Sequence, residues 1–170
     1  MKYAGIGSRE TPVSICNIMT KIALKLDNLG HTLYSGGASG ADEAFEKGAT
    51  NKIIFLPWNG FNNKYSDNIQ YIIPDYNEEL IIKYHPKFSG LSSGALKLMS
   101  RNSYQVLGLD LKSPVDFIIC WTKDGKASGG TGQALRIAEA YDIPIFNLQR
   151  QDSLRSLGYF ILKHYGETND

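Results

Sequence analysis

Short apolar runs alternate with longer amphipathic stretches along most of this chain. Lys2 to Gly5 reads as a strand that ends in a glycine turn. Thr11 and Pro12 then predict a helix start, with Thr11 as N-cap and Pro12 at the first helical position. Ile15, Ile18, Met19, Ile22, Ala23, Leu26 and Leu29 follow at helical spacing until Gly30 stops the helix. His31 to Tyr34 reads as a second strand, and Ala41 to Ala49 as a short helix with Ala41, Ala44, Phe45 and Gly48 on one face. Lys52 to Leu56 is a third strand, nearly all apolar as buried parallel strands are. Residues 57–74, rich in Asn and aromatics, read as irregular, a lid or a dimer element. Asn77 to Tyr84 predicts a helix that stops before Pro86, and Ser92 or Ser93 caps another that runs to about Leu107. Val115 to Trp121 is a fourth strand, Gly132 to Tyr141 a helix, Ile143 to Leu148 a fifth strand, and Asp152 to Tyr165 a closing helix. Strands alternating with helices imply an α/β domain over residues 1–170, a parallel sheet covered on both faces.

Three of the strand ends carry glycine-bearing turns: Gly5-Ile6-Gly7-Ser8-Arg9, Ser35-Gly36-Gly37-Ala38-Ser39-Gly40 and Ser128-Gly129-Gly130-Thr131-Gly132. Each precedes a helical segment. Glycine lets backbone N–H groups approach a ligand without a side chain between, and a helix start adds partial positive charge. If the strands are parallel neighbours, all three turns open at one sheet edge and form a receptacle for a phosphate-bearing ligand. The first turn departs from the dinucleotide fingerprint G-x-G-x-x-G, because its third glycine position holds Glu10, and an NAD or FAD reading loses its main support.

Within these turns Arg9 can pair with phosphate or stand as an exposed loop arginine. Asp42 and Glu43 sit in the first turn of a helix; they can balance its dipole, hold ribose hydroxyls or act as general acid and base. Thr131 can cap the helix after the third turn. Arg101 lies on a helix upstream of the fourth strand, on a solvated face or returned towards this turn. Trp58 and Trp121 each follow a strand; base stacking and core packing are both open to them.

Composition narrows the field. Of 170 residues, 42% are hydrophobic and 21% charged, as in ordinary globular proteins. The formal charge of +1 speaks against a surface devoted to wrapping nucleic acid, which needs many unpaired Lys and Arg. Cys16 and Cys120 stand far apart, without metal-ligand spacing, and read as thiols in a reducing cell. The three histidines are scattered, so no metal and no cofactor is expected. The chain starts directly in a strand and no apolar run reaches spanning length, so a cytoplasmic protein is expected. Neither a Walker loop nor a nucleophile elbow is present.

Ser35-Gly36-Gly37-Ala38-Ser39-Gly40-Ala41-Asp42 resembles the glycine-rich motif of DNA-processing protein A, a recombination mediator. Met99-Ser100-Arg101-Asn102, followed by Val115 to Trp121 and Gly129-Gly130-Thr131-Gly132, is similar to the Lonely Guy phosphoribohydrolases. Together these motifs mark the SLOG superfamily, and the resemblance spans roughly residues 2 to 148. It implies a Rossmann-like, doubly wound sheet of about five strands, a nucleotide or nucleotide-derived ligand, and a homodimer. Small stand-alone relatives occur in phages and near bacterial immune systems, which makes a phage or immune-signalling role an expectation. The three glycine turns, taken with Arg101, assign the ligand to Gly7, Ser8, Arg9, Ser35, Gly36, Gly37, Gly40, Arg101 and Gly129 to Gly132. Lonely Guy enzymes carry G-G-x-G-T-x-x-E with a catalytic glutamate, and here the threonine position is Gln133 and the glutamate position Arg136. Hydrolysis by that route would need Asp42, Glu43 or Glu10 instead. Three functions follow: binding without turnover, N-glycosidic hydrolysis of a nucleoside monophosphate, or single-stranded DNA binding.

Overall fold

In the computed structural model, which describes residues 1–166, six parallel strands form one sheet in the order β4-β3-β2-β1-β5-β6. The last four residues of the domain expected over 1–170 lie outside that range. The strands are β1 (Lys2–Gly5), β2 (Thr32–Ser35), β3 (Lys52–Phe55), β4 (Tyr71–Ile72), β5 (Phe117–Cys120) and β6 (Ile145–Asn147). Between and after them run α1 (Val13–Asn28), α2 (Ala41–Gly48), α3 (Glu78–Tyr84), α4 (Ser93–Leu107), α5 (Gly132–Ala140) and α6 (Ser153–Gly166).

The strand beyond the expected five is β4, inside the stretch read as irregular. Its two residues pair with β3, Ile54 opposite Tyr71 and Phe55 opposite Ile72. A strand of that length shows no alternation for a sequence pattern to reveal. The helix start at Thr11 also differs: α1 begins at Val13 without a side-chain cap, and the Thr11 hydroxyl donates to the Ser8 carbonyl at 2.6 Å.

Alternate residues of each strand feed two cores, as the twofold period of a strand requires. Tyr3, Leu33, Phe117, Ile119 and Phe146 pack against Met19, Ala23, Phe45 and Leu157 from α1, α2 and α6. Ala4, Tyr34, Phe55, Ile118 and Cys120 pack on the opposite face with Tyr104, Leu107, Leu135 and Ile137 from α4 and α5. The sheet is therefore covered on both faces. Its chain path runs outward from β1 to β4, then crosses back to β5 on the other side of β1. This reversal places a topological switch point between β1 and β5, where open α/β sheets form a crevice at the carboxyl ends of the strands.

Candidate functional site

A cleft of about 590 Å³ opens at that switch point. Residues following β1, the start of α2, the α4 face and the segment after β5 line it. The loop after β1 is pinned from behind: the Ser8 amide donates to the Trp121 carbonyl at 3.1 Å, and the Ser8 carbonyl accepts from the amides of Thr11 and Ala41. Gly40 permits this approach, since a Cβ there would stand 2.7 Å from the Ser8 carbonyl oxygen, and its φ of +82° suits glycine.

The third loop presents the donors. Among the described residues, the amides of Gly129, Gly130 and Thr131 have no acceptor within the chain. Side chains at Gly129 and Gly130 would meet no atom within 4 Å, so both are open to the cleft side. Asn102 Nδ2 donates to the Gly130 carbonyl at 2.8 Å and ties this loop to α4. Thr131, expected as a capping side chain, occupies the N-cap position in helical backbone geometry and makes no capping bond; the residue lines the cleft instead.

Arg101 is 6% exposed, and its Nη1 donates to the carbonyls of Gly36 and Phe55, the second at 3.3 Å. Its Nε donates to Asn102 Oδ1 at 3.1 Å. Among the described residues, Nη2 has no acceptor and no carboxylate lies within ion-pair distance of Arg101. Burial pulls its pKa down to about 10, with Asp42 opposing and Arg9 assisting. The group is thus cationic at neutral pH. Gln105, one helical turn further along α4, is 2% exposed, lines the cleft and makes no side-chain hydrogen bond among the described residues.

Asp42, 3% exposed, lines the same cleft from the first turn of α2. One carboxylate oxygen accepts from the Ala38 amide at 3.3 Å; the other, Oδ1, is buried without a hydrogen-bond partner. Burial raises its pKa to about 6, against the pull of Arg101 and of the Ala38 and Gly7 amides. Glu10 and Arg9 are exposed at the rim. The Arg9 and Arg101 guanidinium carbons lie 5.8 and 5.5 Å from the ring centre of Phe61.

The structure thus gathers Gly7, Ser8, Arg9, Glu10, Asp42, Arg101, Gly129, Gly130 and Thr131 around one cleft. Other candidates stand elsewhere. Ser35 is fully buried, its hydroxyl bonded to the Gly5 carbonyl. A Cβ on Gly36 would strike Arg101 and Gln105, so this glycine makes room for the arginine. Gly37 faces Leu56 and Lys64, and Gly132 faces the Ala127 carbonyl. Trp121 is buried with the α1 and α6 layer, its indole N–H donating to Gln149 at 3.0 Å. That placement leaves it no face for a base. Trp58 lines a neighbouring cleft.

Arg136 turns away from the cleft. It donates to the Tyr84 carbonyl at 2.7 Å, to the Ala127 carbonyl at 3.4 Å and to Gln133 at 3.1 Å, while Gln133 donates to Leu80. Gln133 and Arg136 thus fasten α3 to α5. Sequence reasoning missed Gln105, Asn102 as a loop tether, and Thr122, Lys123 and Asp124 on the cleft wall. The spacing from Arg101 to Gln105 was the available signal, because residues four apart share a helix face.

Among the described residues, no group of three or more His, Cys, Asp or Glu could hold a metal ion, and no helix is long and apolar enough to cross a membrane. No protein-family model and no curated protein matches the chain. Among solved structures, DNA processing protein A from Helicobacter pylori, reported for its single-stranded DNA binding mode, is similar at TM-score 0.57 and 22% identity, over 92% of this chain and 71% of that one. The Moco carrier protein from Chlamydomonas rheinhardtii aligns at TM-score 0.44 and 14% identity, over 85% of this chain and 72% of its own. The chain has a Rossmann-like α/β fold like that of DNA processing protein A.

Proposed function

We propose that the cleft binds a nucleotide or nucleotide-derived small molecule through its phosphate, and that the protein senses or sequesters this molecule. The observation that carries the reading is that amides at Gly129, Gly130 and Thr131 without an acceptor, and a buried Arg101 without an ion-pair partner among the described residues, line one cleft. Preorganised amides at a helix start and a guanidinium are complementary to phosphate in both charge and geometry. The open amide of Gln105 supplies a polar contact for the rest of the ligand. Mass spectrometry of small molecules released from the purified protein tests the reading: an intact phosphate-bearing nucleotide in stoichiometric amount supports it. Absence of binding across a panel of 5′-mononucleotides and dinucleotides would remove it.

A second reading rests on Asp42. A carboxyl group buried at the cleft and poised near neutral pH can pass a proton to or from a reacting group. Acting on a nucleoside 5′-monophosphate, it would activate water against the N-glycosidic bond, giving free base and ribose 5-phosphate. Base release that disappears in Asp42→Asn would establish turnover; an unchanged nucleotide pool after prolonged incubation would leave binding alone.

A further inference from the structure

A second cleft, of about 350 Å³, lies on the other side of Arg101, which lines both. Each has a volume in the roughly 300–1,000 Å³ range of small-ligand pockets. The walls of the second differ from those of the first. Trp58 and Tyr76 stand there 37% and 50% exposed, an unusual state for two large aromatics in one concavity. Trp58 rests edge-on against Phe61, with ring centres 5.2 Å apart. Lys97, one turn before Arg101 on α4, lines the same cleft, and its ammonium has no partner among the described residues. The α4 face therefore runs Lys97, Arg101, Gln105, with the central cation shared by two concavities.

We propose that the second cleft is a second nucleoside subsite, and that the ligand is a dinucleotide whose bridging phosphate sits at Arg101. This rests on the phosphate-binding reading of the first cleft and extends it to the class of ligand. Exposed aromatics beside cations stack bases and hold the linking backbone, a combination that tolerates any base. A mononucleotide fills one concavity and leaves Trp58 and Tyr76 in water. The shared chemistry, two nucleosides joined through phosphate, occurs both in free dinucleotides and in single-stranded DNA or RNA.

The test titrates the full-length protein with adenosine 5′-monophosphate, with a linear diadenosine phosphodiester, with a pyrophosphate-bridged diadenosine, and with an oligodeoxyadenylate ten nucleotides long. A dinucleotide is expected to bind more tightly than the mononucleotide. That ratio should fall roughly five- to a hundredfold in Trp58→Ala and in Tyr76→Ala, the worth of one stacked base. Tyr76 is 50% exposed and is not one of the buried core residues, so its variant keeps the test valid if Trp58→Ala perturbs the fold. Equal affinity for mononucleotide and dinucleotide, or an advantage that survives both substitutions, overturns the second subsite while leaving the first reading intact. Failure of every probe to bind overturns both. An affinity that rises again for the decamer and drops steeply with salt assigns the dinucleotide unit to a polynucleotide; equal affinity for dinucleotide and decamer assigns it to a free molecule.

Discussion

The substitution Gly130→Val places a branched side chain where a Cβ meets no heavy atom within 4 Å, at a position that does not require a left-handed backbone. Surface changes of this kind stay within about 0.5 kcal/mol of the parent, which for a domain of this size moves Tm by roughly 2 °C or less. The ligand side is different. Amides that donate to a charged group contribute about 1.5–3 kcal/mol each, so blocking two of the three at Gly129 to Thr131 weakens a phosphate-bearing ligand at least a hundredfold. In a thermal-shift assay at a hundred times the parent Kd, the ligand stabilises the parent by about 2.7 kcal/mol, or roughly 5–10 °C. The variant, now near its own Kd, gains about 0.4 kcal/mol and roughly 1 °C. A folded Gly130→Val protein that keeps the full ligand-induced shift would refute the role given to this loop.

Gly36→Ala should do the reverse, lowering Tm by several degrees even without ligand, because its methyl group displaces the Arg101 guanidinium and Gln105; an unchanged melting curve contradicts that packing. Arg101→Met should weaken nucleotides far more than the matching nucleosides in calorimetric titration, and equal losses would remove it from the phosphate. For Asp42 the folded pKa of about 6 lies above its unfolded value, so its contribution to stability is full below about pH 4 and is lost as pH rises through 6. Asp42→Asn should therefore be less pH-dependent than the parent between pH 4 and 7, by about 2–3 kcal/mol in urea unfolding, and parallel curves would refute the burial argument. Arg136→Ala should cost stability, through the lost tether between α3 and α5, while leaving nucleotide affinity within twofold.

Much of the architecture was legible because it follows from local periodicity. Residues 53–55 of β3 and Phe117–Cys120 carry no polar side chain on either face, which only a sheet covered on both sides permits. The two-residue β4 was not legible, since it owes its existence to β3 rather than to its own sequence. In the site, glycines were visible but their duties were not: Gly130 opens to the cleft, while Gly36 and Gly37 accommodate Arg101 and Leu56, neighbours distant in sequence. The orientation of Trp121 was within reach. Strand period places residue 121 with Phe117 and Ile119, and all three pack on the α1 and α6 side. Asp42 carried no local sign of its burial, because Arg101 and the loop after β1 enclose it from remote parts of the chain.

Phe61 belongs to a connection that lends no residue to the lining of the main cleft, yet guanidiniums from the β1 loop and from α4 both lie against its ring. Both cations therefore rest against one hydrocarbon ring. Under the phosphate-binding proposal, resizing residue 61 would shift both cations while leaving every residue that lines the main cleft unchanged.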